Sequence, residues 1–252
     1  MSFLNKLGIG IGINGGTSRE LSRGIPHNPR APRHPGMPVP AVGSTRAPEL
    51  LESTRLSNGL KELLWNLGGL GHGSLLDVGP AWQTTLSFFI ERGFRVSSED
   101  LLRSWKAFLT EEETRLRNHA TSCESLDMTP NGRATRFLAE NMQYPRSSFD
   151  AVLLWDLLDY MEPALVKQMV VQVTEMLRPG GIVFAMFHSK KPEGFQRYRV
   201  ADSNTLQVIS TPVICPAQKV YQNREIQDLF GRFRTMKSFV GRDQLRETLF
   251  IK

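Results

Sequence analysis

Ser74-Leu75-Leu76-Asp77-Val78-Gly79-Pro80-Ala81-Trp82-Gln83 is the stretch that decides the fold. Its first half is a short apolar run, the pattern of a buried strand, and it breaks at Gly79. Residues 84–92 read as a helix stopped by Gly93, and Phe94-Arg95-Val96-Ser97-Ser98 reads as a second strand. Upstream, Ser57 is placed to cap a helix whose apolar positions are Leu60, Leu63, Leu64 and Leu67, spaced i, i+3, i+4 and i+7. Gly68, Gly69, Gly71 and Gly73 end it. Helix and strand therefore alternate around the opening stretch.

The alternation continues downstream. A helix runs from about Leu101, with Leu102, Trp105, Phe108 and Leu109 on one face, and a short third strand is expected around Arg136–Leu138. Phe149-Asp150-Ala151-Val152-Leu153-Leu154-Trp155 is an apolar strand. Pro163 opens a helix with Val166, Met169, Val170, Val173 and Leu177 turned inward. Arg178-Pro179-Gly180-Gly181 reads as a stop and turn before the strand Ile182–Phe187. A helix over 223–231 and strands over 233–240 and 246–251 close the chain. Strands separated by helices must run parallel and be covered on both faces. The last two strands are too close for a crossover helix and must be antiparallel. The expected fold is α/β: a doubly wound, mostly parallel seven-stranded sheet with an antiparallel C-terminal strand.

The chain has 252 residues and a net charge of +6. Residues 1–50 carry six Lys/Arg against two Asp/Glu and hold seven of the 15 Pro and eight of the 21 Gly. The basic character is thus concentrated in the N-terminal segment and does not make the whole chain a nucleic-acid-coating protein. Two regions are expected: a disordered basic Pro/Gly-rich tail over 1–47, and one domain over 48–252. Pro26, Pro29, Pro32, Pro35 and Pro38 recur every third residue and would share one edge of a polyproline II helix. That edge is either a docking peptide for a protein partner or a stiff solvated linker. Cys123 and Cys215 stand alone, outside any CxxC or Cys/His cluster, so neither a metal site nor a disulfide scaffold is expected and a reducing, cytoplasmic setting fits. No apolar run approaches the ~18 residues of a membrane span.

Ligands of doubly wound sheets bind beyond the carboxyl ends of the strands, where the strand order reverses. Four strand ends matter by that rule: Asp77–Gln83, Glu99–Leu101, Asn141–Met142 and Trp155–Tyr160. This set resembles the class I S-adenosylmethionine-dependent methyltransferases, over about residues 57–252. The family's first motif, Asp-x-Gly-x-Gly-x-Gly, reads here Asp77-Val78-Gly79-Pro80-Ala81-Trp82-Gln83, with Ala81 and Gln83 in place of two glycines. The acidic residue that binds the ribose hydroxyls in the family falls on Asp100, with Glu99 as the alternative. Asn141 and Met142 stand where the family places its adenine contact. The stretch from Ser148 to Met161 looks like the fourth-strand motif, and Arg178-Pro179-Gly180-Gly181 looks like the turn before strand five.

The resemblance implies S-adenosylmethionine as cofactor, held by Asp77, Gly79, Ala81, Asp100, Asn141, Met142, Trp155 and Asp156. It implies methyl transfer to a small-molecule acceptor. His188 and Tyr160 are the candidate catalytic groups, and Tyr160 stands where the family often has His. Trp82 either walls the cofactor pocket or fills it. The segment Lys190–Pro216, which carries Arg197, Arg199, Phe195 and Tyr198, occupies the place where the family often builds its acceptor pocket. A basic, aromatic stretch there suits an acidic or aromatic acceptor; a solvated loop with a packed hairpin is the plainer reading.

The bulky first motif keeps open a methyltransferase-like protein that has lost catalysis and acts as a binding or regulatory module. A nicotinamide dehydrogenase would want G-x-G-x-x-G after the first strand, which Gly79–Thr84 does not supply. A base-modifying nucleic-acid methyltransferase would want Asn/Asp-Pro-Pro-aromatic or Pro-Cys near Trp155, and neither is there.

Overall fold

The computed structural model describes residues 52–118, 127–211 and 216–252. The proline-rich tail, Cys123 and Cys215 lie outside the described residues. In chain order the elements are β1 (Glu52–Leu56), α1 (Asn58–Leu67), β2 (Gly73–Asp77), α2 (Gln83–Ile90), β3 (Phe94–Ser98), α3 (Leu101–Asn118) and α4 (Pro130–Asn141). There follow β4 (Phe149–Trp155), a 3-10 turn at Leu157–Tyr160, α5 (Pro163–Met176), β5 (Leu177–His188), β6 (Phe195–Val200), β7 (Thr205–Thr211), α6 (Asn223–Leu229), β8 (Thr235–Val240) and β9 (Leu245–Ile251).

The central sheet has the order β3-β2-β4-β5-β9-β8. The first four strands are parallel, and β9 runs antiparallel to both β5 and β8. The chain moves outward from β2 to β3 on one side and from β4 to β5 on the other. The order therefore reverses between β2 and β4, and the crevice at their carboxyl ends is the switch point.

Alternate residues of each strand face opposite sides. Leu76, Val152, Leu154 and Val183 pack with Trp105, Phe137, Met169 and Val173 from α3, α4 and α5. Leu75, Ala151, Leu153 and Phe184 pack with Leu60, Leu63 and Phe89 from α1 and α2. The two-sided burial is what the unbroken apolar runs demanded.

The helices start where the sequence says they should. The Ser57 hydroxyl oxygen accepts the Leu60 N–H at 3.0 Å and caps α1. Pro163 takes the first position of α5, where a missing N–H costs nothing.

Two expectations are corrected. The segment expected as a third strand, Arg136–Leu138, belongs to helix α4, so among the described residues the central sheet has six strands and not seven. Thr129 accepts the Gly132 N–H as N-cap, Pro130 follows, and Ala134, Phe137 and Leu138 are buried at a helical spacing. The second concerns Arg178–Gly181, which lies inside β5 and does not precede it. Pairing with β4 jumps from Phe149–Leu177 to Ala151–Ile182, so these residues bulge out of the ladder, with Gly180 at φ 78°.

A second, three-stranded antiparallel sheet has the order β1-β7-β6. Its β6–β7 hairpin fills most of Lys190–Pro216. The hairpin packs on the α1–α2 face through Tyr198, Val200, Leu206 and Val208. The Val200 N–H donates to the Thr85 hydroxyl at 3.0 Å, which ties the hairpin to α2. No helix of the described residues is long and apolar enough to cross a membrane.

Candidate active site at the sheet's carboxyl edge

Asp77 ends β2 and is 1% exposed. Its Oδ1 accepts the Gly79 N–H at 3.0 Å and the Trp155 Nε1–H at 2.7 Å. Its Oδ2 is buried and has no hydrogen-bond partner among the described residues. Burial pushes the carboxyl up to about 6, against the opposing effect of the Trp155 and Gly79 bonds.

Trp155 ends β4 at φ 50°, the left-handed region that aromatic residues rarely enter. The register with β5 shifts at this point, between Leu153 and Trp155. The indole stacks on Tyr198 of β6, with centroids 6.2 Å apart and planes 11° apart, and meets Phe184 edge-on at 5.8 Å. A Cβ at Gly79 would fall 2.7 Å from Trp155 Cδ1, so glycine at 79 is what lets the indole lie against the turn.

A cavity of about 220 Å³ opens beside this turn. Gly79, Asp100, Trp155 and Asp156 line it, together with Arg103, Lys106, Phe195, Arg197 and Tyr198. Asp100 Oδ1 accepts the Arg103 N–H at 3.1 Å and caps α3. Glu99, the alternative for the ribose role, accepts the Tyr144 hydroxyl proton at 3.0 Å instead.

On and behind the cavity wall lies a buried acidic pair with a histidine: Asp156 lines the cavity, Asp159 and His188 do not. Asp156 Oδ2 stands 3.4 Å from the Tyr198 hydroxyl that donates to it and 3.8 Å from His188 Nε2. Burial pushes its carboxyl up to about 7, although the His188 charge pulls it down. Asp159 is fully buried; its Oδ2 accepts the His188 backbone N–H at 2.8 Å and lies 2.9 Å from His188 Nδ1. Burial alone would lower the His188 pKa, but the Asp159 hydrogen bond and the Asp156 charge outweigh it and raise it. Tyr160 is 2% exposed and meets the rings of His188 and Phe195 edge-on, at 6.0 and 4.9 Å.

The structure brings together Asp77, Gly79, Asp100, Trp155 and Asp156. Ala81 is exposed and does not line the cavity. Asn141 turns its amide back onto the Phe137 carbonyl at 3.0 Å, and Met142 is buried in the α3–α5 core, so neither reaches the cavity. His188 and Tyr160 sit one layer behind the wall. Trp82 neither walls nor fills the cavity: it is half-buried, with the Arg199 guanidinium 5.7 Å from its ring centroid. Trp155 fills the crevice instead.

From sequence, Asp159 has no assigned role. Its place inside the apolar run Val152–Met161 was the available signal that it is buried. Arg103 and Lys106 carried no motif, since α3 reads from sequence as a plain amphipathic helix.

No protein-family model matches the chain, and no curated protein matches it. Solved methyltransferase structures do. The 1,6-didemethyltoxoflavin-N1-methyltransferase of Burkholderia thailandensis, solved with 1,6-didemethyltoxoflavin and S-adenosylhomocysteine, is 14% identical. Its TM-score is 0.40, over 78% of this chain and 79% of that one. A methyltransferase dependent on S-adenosylmethionine from Aquifex aeolicus is 12% identical, with a TM-score of 0.42 over 78% of this chain and 90% of that one. One from Methanosarcina mazei is 14% identical, with a TM-score of 0.41 over 72% and 93%. At such identities only the site residues themselves speak for a function.

Proposed function

We propose that the chain binds S-adenosylmethionine and transfers its methyl group to a small-molecule acceptor in the cytoplasm. The observation that carries this reading is the convergence of Gly79, Asp100, Trp155 and Asp156 on one cavity at the β2/β4 switch point, with Asp77 bonded to Gly79 and Trp155 behind its wall. These residue types suit the cofactor. The second oxygen of Asp100 is available to ribose hydroxyls while the first caps α3. Asp77 Oδ2, buried without a partner, suits a cationic or N–H-bearing ligand end. Gly79 allows close approach of the backbone.

The room does not yet match. About 220 Å³ is below the ~300 Å³ at which small-molecule sites begin. The Trp155 indole must leave Asp77 and Gly79 for the whole cofactor to enter. Its left-handed backbone costs of order 1–3 kcal/mol, which favours such a rearrangement.

When bound, the cofactor supplies an electrophilic methyl group on a sulfonium. The chain aligns the acceptor, and alignment alone contributes several kcal/mol. Asp156, on the cavity wall with its carboxyl pushed up to about 7, would take the proton of an acceptor hydroxyl. His188 does not line the cavity; it is a positioning residue that orients Asp156 and is itself fixed by Asp159.

Calorimetry with S-adenosylhomocysteine tests the reading, with tryptophan fluorescence recorded in parallel. Binding accompanied by a fluorescence change that Trp155→Phe removes is the expected result. No heat and no thermal shift at millimolar ligand would leave the second reading, a binding module without catalysis. The Trp155–Asp77 bond across the crevice favours that second reading.

A further inference from the structure

The cavity wall carries three cations without carboxylate partners. Arg103 and Lys106 come from the first turns of α3, and Arg197 comes from β6. No ion pair joins any of them among the described residues. Several packed cations elsewhere are paired: Arg55 with Glu247, Arg133 and Arg136 with Glu112, Arg178 with Asp150, and Arg199 with Glu52. Arg197 Nε is buried and makes no hydrogen bond. An unsatisfied buried donor of a charged group is costly, and a ligand acceptor would remove that cost.

An aromatic ring lies beside two of these cations. The Arg197 guanidinium lies 5.7 Å and Lys106 Nζ 6.0 Å from the centroid of Phe195, which is buried and lines the same cavity. The carboxyl groups on the wall are Asp100, whose Oδ1 is held by the α3 N-terminus, and Asp156.

We propose that Arg103, Lys106 and Arg197 form an anion subsite around Phe195, and that the ligand of this cavity is a compact aromatic molecule bearing a carboxylate or phosphate. The ring packs on Phe195 while the anionic group takes the Arg197 Nε–H and the Lys106 ammonium. This rests on the methyl-transfer reading only in calling that ligand the methyl acceptor. The planar guanidinium matches either anion in a two-point contact.

The full chain is titrated with 4-hydroxybenzoate, with its uncharged isostere 4-hydroxybenzamide, and with inorganic phosphate. The acid or phosphate is expected to bind, the acid at least about tenfold more tightly than the amide. Arg197→Gln and Lys106→Gln are each expected to lose about tenfold for the anion, with the melting temperature and any amide binding unchanged. Tight phosphate binding assigns the subsite to phosphoryl ligands, and preference for the acid assigns it to carboxylates. Both outcomes support the proposal. No anion binding at millimolar concentration, or equal binding of acid and amide without tight phosphate binding, overturns it. So does a loss of S-adenosylhomocysteine affinity in Arg197→Gln without loss of anion affinity, since the cations would then serve the cofactor. Anion binding without S-adenosylhomocysteine binding keeps the subsite and removes the methyl-transfer reading; the reverse result does the opposite.

Discussion

Asp77 shows what burial does to a single carboxyl. Its folded pKa is about 6, against about 3.9 in an unfolded chain. The native state thus holds a proton that the unfolded state has already released. Stability from this group is fully present below about pH 4 and is lost as pH rises through about 6. Asp156, pushed up to about 7, acts in the same direction. His188, with its raised pKa, also loses its contribution as pH rises. Denaturant unfolding should therefore show the protein less stable at about pH 8 than at about pH 5. Asp77→Asn keeps an acceptor for Trp155 and removes the titration. It should flatten the profile and exceed the wild type at about pH 8, by up to about 3 kcal/mol. An equally steep profile in the variant would place the pH dependence elsewhere. The Gly79–Trp155 contact is equally local. Gly79→Ala drives a methyl into the indole and should cost about 1–3 kcal/mol. In a Trp155→Ala background the same change should cost close to nothing, and a double-mutant cycle measures that coupling.

Among the elements, β1 depends most on distant partners. It pairs with β7, and its Arg55 reaches Glu247 of β9 at 2.6 Å and Asp243 at 2.8 Å. Glu247 is 2% exposed, and its second oxygen accepts the Gly59 N–H at 2.6 Å, in the first turn of α1. One carboxylate thus joins β9, the N-terminus of α1 and the second sheet. Glu247→Ala leaves the Gly59 N–H unpaired and the largely buried Arg55 guanidinium with Asp243 alone, and should destabilise by about 3 kcal/mol, read by equilibrium unfolding. Ser57→Ala removes only a cap and should cost about 1 kcal/mol. Nothing in residues 52–56 announces a strand: the apolar alternation is missing and four of the five residues are exposed. The β4 strand is the opposite case, since seven mostly apolar residues bounded by turn signals read as a buried strand without further help.

At the scale of the molecule, the sheet and its two cores are built by residues from Ser57 onward among those described. By composition the preceding tail cannot offset the ordering entropy of its backbone. We propose that it is dispensable for folding: a chain beginning at Thr45 should keep its melting temperature and its affinity for S-adenosylhomocysteine. A lowered melting temperature would show that the tail packs on the domain.

Apart from β1, α4 and the start of β5, local sequence determined the alternation of helix and strand, the caps at Ser57 and Pro163, the stops at Gly93 and after β2, and the parallel character of the sheet, because each depends on residues within a turn or two of one another. It also placed Asp77, Gly79, Asp100, Trp155 and Asp156 at strand ends. Only the tertiary structure decided what fills the crevice. The bond from Trp155 to Asp77 spans 78 residues, and Arg197 and Tyr198 reach the cavity on a sheet whose first strand pairs with residues far along the chain. No periodicity encodes a contact between segments so remote. It arises when strand order and register bring their ends together.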